Sequence, residues 1–276
     1  MAYPNDFIPE VWSARLLDTL DKSLVLGQLA NRDYESAVQG QGDTIHAQKF
    51  GNVTAGAYSG SVTYAAESSS TVSISLNQDY YGAVSLDDKN VLQGQTGVDQ
   101  INGFADRIAY GLADQIDQGV AGLYTSSTLT DIAWDVGTTD PWDGVLTTAA
   151  EQLNAANVPQ QGRWLVVRPK GMTALLESAD FQRATEMGDN AIANGIVGRA
   201  AGFDVYISNN LVNISSNNYA YMYGHSMGIS LAVQQAPTIE LVRRDAAFET
   251  GVRARVVYGV AATQPTAFGE ITADES

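Results

Sequence analysis

The chain has 276 residues, with 31 acidic against 15 basic side chains and a net charge of −16. That length admits one large domain or two ordinary ones, and about three quarters of the unfolded surface can be buried at this size, so a core needs no staple. Without cysteine, and with only His46 and His225, a disulfide scaffold, a thiolate zinc site, a cysteine nucleophile and an all-histidine metal site are excluded.

Charged side chains make up 17% of the chain, against about 25% on average. Such a surface suits extensive coverage by partners. The acidic balance argues against gripping nucleic acid through its phosphates, though not against enclosing it. Residues 1–6 carry no basic segment leading into an apolar run. No stretch approaches the roughly 18 apolar residues of a membrane span. The expectation is a soluble protein made in a cytoplasm, with no membrane partner.

Residues 1–42 read as an arm. Val11, Trp12, Leu16, Leu17, Leu20, Leu24 and Leu26 recur at helical spacing, and Gly40 and Gly42 break the pattern. Residues 43–90 read as a β-ribbon. Val72, Ile74 and Leu76 alternate with Ser73, Ser75 and Asn77, while Val62 and Tyr64 flank Thr63, so each strand is apolar on one face only. A ribbon without cover of its own is not stable alone. Either the rest of the chain folds over it or another copy does.

The clearest helix is expected over 96–124, roughly 42 Å long. Val98, Ile101, Ala105, Ile108, Leu112, Ile116, Val120 and Leu123 recur every three or four residues, and Asp99, Asp106, Asp114 and Asp117 are assigned to the opposite, solvated face. From Asp140-Pro141 onward the pattern becomes α/β. A helix around Val145–Ala156 stops before Pro159, Trp164–Val167 is a buried strand, a helix opens at Pro169, and Asp204–Ser208 is a further strand. The Gly- and Ala-rich stretch 188–202 reads as a loop bearing short helix. Strands are expected at Ala220–Tyr223, Ile229–Val233, Ile239–Arg243 and Val252–Val260, and a loose acidic tail from Glu270.

One motif suggests chemistry. Gly224-His225-Ser226-Met227-Gly228 fits the G-x-S-x-G nucleophile elbow, but no histidine follows His225 to serve as base, and the next segment alternates like a strand. A plain turn is the better reading, with a serine esterase built on Ser226 as an alternative and a β-rich binding module as another. Asp131, Asp135, Asp140 and Asp143 cluster, but not at calcium-loop spacing. The glycines of 195–202 precede a strand, the wrong order for a dinucleotide site. Arg243, Arg244, Arg253 and Arg255 are expected to pair with nearby acids.

In this order the parts resemble a known family. The resemblance rests on Phe7-Ile8-Pro9-Glu10-Val11-Trp12 with Arg15-Leu16-Leu17, on Asn31-Arg32-Asp33-Tyr34-Glu35, on Gly42-Asp43-Thr44-Ile45 and on Arg163-Trp164-Leu165-Val166-Val167-Arg168-Pro169. It continues through Gly195-Ile196-Val197-Gly198-Arg199 and Phe203 to Leu211. The chain resembles major capsid proteins of tailed bacteriophages with the Hong Kong 97-type fold. That likeness implies an α+β fold with an N-terminal arm (1–42), an extended β-hairpin loop (43–90), a peripheral domain (91–140 and 235–276, with the spine helix 96–124) and an axial domain (141–234). It implies a non-enzymatic, self-assembling subunit with no catalytic, cofactor-binding or metal residues. Its copies would form the hexamers and pentamers of an icosahedral virion shell around double-stranded DNA, with portal and scaffolding proteins as further partners. Some members join subunits through a lysine and an asparagine. Lys49 and Lys89 lie in the ribbon region, but neither has a context that aligns with that chemistry.

Overall fold

The computed structural model describes residues 25–38, 42–51, 53–58, 60, 62, 64, 66, 69–89, 97–178, 197–244 and 248–276. The helical stripe expected between Val11 and Leu24 lies outside these residues, as does the part of the glycine-rich stretch before Val197.

In chain order the elements are α1 (Leu26–Leu29), β1 (Thr44–Phe50), β2 (Ser69–Ser75), β3 (Gln78–Asp87), α2 (Gly97–Ala121), β4 (Ile132–Asp135), α3 (Val145–Ala155), β5 (Arg163–Val167) and α4 (Pro169–Glu177). They continue with β6 (Val197–Ala200), β7 (Phe203–Ile207), β8 (Asn213–Ser215), β9 (Asn218–His225), β10 (Ile229–Arg243), β11 (Glu249–Ala262) and β12 (Phe268–Asp274). The strands form a two-stranded ribbon β1-β2, a three-stranded sheet β10-β11-β3, and a seven-stranded sheet β4-β12-β9-β5-β7-β6 with β8 on β9.

The spine helix follows from its stripe. Ala105, Ile108, Leu112, Ile116 and Val120 are all buried, packed against β11 and β3. Strand β11 answers with Val252, Ala254, Val256 and Tyr258 at every second position, each buried. Strand β3 comes so close that a Cβ on Gly82 would stand 2.7 Å from Ile108 Cγ2. The helix is shorter than expected: after Ala121 the chain tightens into a 3-10 turn, Gly122–Ser126. Asp117 also departs from its assigned place, being only 1% exposed. A carboxylate can sit there because backbone N–H groups of Val25 and Gly27 reach it, at 3.2 and 3.3 Å.

In the larger sheet β5 is buried at every position, from Arg163 to Val167. It runs parallel to β7 and antiparallel to β9; Met172 and Leu175 of α4, which packs on β5, and Val145, Leu146, Ala149 and Leu153 of α3, which packs on β4 and β12, are buried in the same core. The expected loose tail is instead strand β12, inserted between β9 and β4. Phe268, Ile271 and Ala273 are buried, and the following Glu275 accepts hydrogen bonds from Arg168 (2.6 Å) and Tyr221 (2.7 Å). Thus β12, within 235–276, pairs inside the sheet of the 141–234 region, and β3, within 43–90, pairs with β11. The two late strands expected at Ile229–Val233 and Ile239–Arg243 are one strand, β10, which continues past Pro237 with irregularities between Val233 and Thr238. A bulge is where a sheet tolerates proline.

Candidate functional site

The ribbon is the first candidate surface. Thr44 to Phe50 pair in antiparallel register with Ser75 to Ser69, which sets Ile45 opposite Ile74 and Ala47 opposite Val72. Among the described residues the apolar face is covered only at the root. Ile74 is fully buried and Leu76 nearly so, together with Ala232, and Tyr34, Ile45 and Ala261 pack around them. This cluster is separate from the main core. Farther out the cover ends: Phe50 is 75% exposed and Tyr64 90%, and Val53, Tyr58 and Val62 are exposed as well. Val62 and Tyr64 were expected in a strand, but the described residues there carry no strand assignment. Residues 51–66 contain no charged side chain. Burying one such large apolar side chain is worth about 1.5–3 kcal/mol, so this limb holds binding free energy that the subunit does not use itself.

The outward face of the three-stranded sheet is the second surface. Here three of the expected arginine pairs are found. Arg255 meets Asp79 at 2.5 Å, Arg253 meets Glu240 at 2.7 Å and Arg244 meets Glu249 at 3.0 Å, while the fourth pair, Arg243 with Asp88 at 2.5 Å, lies beside Thr250 on the other side of the sheet. Hydrogen bonds from Arg255 and Arg243 hold the Asp79 and Asp88 carboxyls below their ordinary value. Tyr81, 78% exposed, stands on this face. Beside it the irregular part of β10 leaves a concavity lined by Tyr81, Gln235, Thr238 and the paired charges. Each cation already has its anion, so the face presents dipoles rather than a net positive field.

The third feature anchors the arm. Asp117 on the spine accepts from the backbone of α1. Burial pushes its carboxyl up, opposed by those backbone hydrogen bonds and by one from the Asn210 side chain. Asn31 then forms a parallel bridge to β10, donating to Ile229 O and accepting from Leu231 N–H at 2.8 and 2.9 Å.

Ser226 sits in the turn joining β9, in one sheet, to β10, in the other. A strand follows it, not the helix an elbow requires, and His225 Nδ1 accepts the N–H of Met227 at 3.2 Å. The aspartate cluster is likewise used locally. Asp131 accepts from Thr272, Asp135 from Gly137 N–H, and Asp140 from Trp142 N–H and Ser178. Among the described residues no group of three His, Cys, Asp or Glu is placed to hold a metal ion, and no helix is long and apolar enough to cross a membrane. Lys49 lies on β1 beside Ser70 of β2, and the Lys89 N–H caps Asp87.

An exposed apolar limb, a long spine helix packed on a three-stranded sheet and a seven-stranded mixed sheet make up the described fold. The phage capsid protein family matches residues 69–270, and the chain belongs to that family. The fold recurs in a protein of Mycobacterium phage Che8 (24% identity, 90% of each chain, TM-score 0.70). It recurs again in the capsid of Cyanophage P-SCSP1u (18%, 86% of this chain and 85% of that one, TM-score 0.72). A virus-like particle from Pyrococcus furiosus shares it as well (13%, 95% and 98%, TM-score 0.59). Among curated proteins none matches. The chain is a structural capsid protein with the α+β Hong Kong 97-type fold.

Proposed function

We propose that this chain is the repeating subunit of an icosahedral phage head, joining as hexamers and pentamers around double-stranded DNA. The carrying observation is the ribbon: its root is seated on its own subunit, and its outer part exposes large apolar side chains with no charge between residues 51 and 66. A neighbouring copy supplies the missing cover, as in large obligate interfaces. The functional division is an arm (1–42), an extended loop (43–90), a peripheral unit (91–140 with 235–276) and an axial unit (141–234), with β3 and β12 crossing those limits to pair. Portal and scaffolding proteins complete the partner set, and assembly takes place in the host cytoplasm before the subunit resides in the virion.

The test is negative-stain microscopy and sedimentation of the expressed chain. Shells or capsomers are expected. Replacing residues 51–66 by a short Gly-Ser turn removes the exposed limb and spares the seated root, so folded protein that no longer assembles is the expected product. Normal shells from that variant would remove the ribbon from the mechanism.

A further inference from the structure

At the root of the ribbon the chain leaving β2 crosses β11. Strand β3 lies along β11 with Gln78 opposite Tyr258, and the chain arriving from β2 passes over the next residue of β11, Gly259. A Cβ there would stand 2.4 Å from Ser75 O, 2.9 Å from the Ser75 carbonyl carbon and 3.0 Å from Leu76 Cδ2. The two nearest atoms are backbone, so no rotamer change makes room. Gly259 is not among the positive-φ glycines, so space alone, not backbone conformation, demands glycine. On its far side it pairs with Ala232, which closes the small buried cluster with Ile74 and Leu76. The Leu76 N–H donates to Asp43 O at 2.7 Å and ties the two ribbon strands together one residue beyond the crossing.

We propose that Gly259 is a positioning residue for assembly: the absent side chain sets the angle at which the ribbon leaves the body, and with it the geometry in which subunits join. The proposal rests on the reading of the ribbon as the clamp between copies. A methyl group at this place requires Ser75 O to retreat by about 1 Å to reach ordinary contact. Against a tie one residue away, about 3.8 Å, that is a tilt of roughly 15°. A seven-residue strand of about 23 Å then carries its outer end by roughly 6 Å. The main core is a separate cluster and stays filled, so the subunit keeps its fold while the limb points elsewhere.

The experiment compares Gly259→Ala with Gly251→Ala on the same strand, where the nearest atom to an added Cβ is Val242 O at an ordinary 3.5 Å. Both are expressed as full chains. Melting temperature and near-UV circular dichroism report the subunit, and sedimentation with microscopy reports the fraction assembled and the particle diameter. The expected result is a folded Gly259→Ala subunit with at least a tenfold loss of assembled particles, or particles of altered diameter, while Gly251→Ala assembles as the parent does. Parent-like shells from a folded Gly259→Ala chain would overturn the proposal. If Gly259→Ala does not fold, Ile74→Ala decides, because it empties the same seat from the ribbon side without adding a clash. Parent-like shells from that variant overturn the proposal, and lost or altered shells support it. The 51–66 replacement separates the two readings. If it abolishes shells while the seat variants leave them unchanged, the clamp stands and the role of Gly259 falls. If it leaves shells intact, both fall.

Discussion

At the scale of single residues, one buried and one half-buried carboxyl serve opposite ends. Asp117 is polar on a helix face that is otherwise apolar, and it is retained there because it accepts N–H groups of the arm root. Truncation to alanine leaves those donors buried without a partner, at about 1–3 kcal/mol. The expected outcome for Asp117→Ala is a lower urea midpoint and faster amide exchange at residues 25–30, with Asp117→Asn losing less because it keeps one acceptor oxygen. Unchanged exchange there would show that the arm is held by the Asn31 bridge alone. Glu270 on β12 is the contrary case. Its Oε2 is sealed without a hydrogen-bond partner, and burial, reinforced by the Asp131 carboxylate, pushes its pKa up to about 7 from an ordinary 4.5. The folded state therefore binds a proton that the unfolded chain releases. The stability this gives is fully present below about pH 4.5 and is lost as pH rises through about 7. Glu270→Gln should flatten the fall in melting temperature between about pH 5 and 8, and raise it at the alkaline end. Parallel pH profiles for the two proteins would reject this account.

At the scale of elements, the spine helix is the part whose packing was plainest in the residues. A stripe repeating every three or four positions has only one face to bury, so Leu112 and Ile116 could be placed inside before any partner was known. Leu112→Asp puts an unpaired charge in that interior, at a cost of several kcal/mol, and should leave no soluble folded chain. Tyr110→Asp, on the 60% exposed side of the same helix, should melt like the parent. Equal solubility of the two would mean that the helix is turned the wrong way. Legibility failed where a partner, rather than a pattern, decides. Asp117 reads as a solvated acid because its ligands are backbone groups some 90 residues away in sequence. Residues 270–276 read as a tail because Ile271 and Ala273 are too few apolar positions to announce a strand. What makes β12 is a slot between β9 and β4 that satisfies its backbone on both edges. Gly259 gave no signal at all, since a glycine required for close approach is spelled like any other. The arginine pairs were legible by arithmetic: acids outnumber bases two to one.

At the scale of the whole molecule, those pairs bear on the proposed enclosure of double-stranded DNA. Attraction to DNA needs cations free to release counterions from phosphates. Here Arg243, Arg244, Arg253 and Arg255 each face a carboxylate within 3.0 Å, on a chain carrying −16 overall. Displacing a carboxylate in favour of a phosphate exchanges one anion for another and gains little, while every further acidic side chain repels the duplex over about 10 Å at ordinary ionic strength. The assembled protein should therefore show no tight, salt-sensitive retention of double-stranded DNA in a filter or gel-shift assay near physiological salt. Opening the ladder by the triple change Asp79→Asn, Glu240→Gln and Glu249→Gln frees three arginines on one face at once. It should create weak binding whose logarithm falls with the logarithm of salt at a slope approaching about −3, one released counterion per freed cation. Tight binding by the parent would mean that the cations are available to phosphate despite their partners. A triple variant that stays inert would place this face away from the DNA or leave it overruled by the remaining acids.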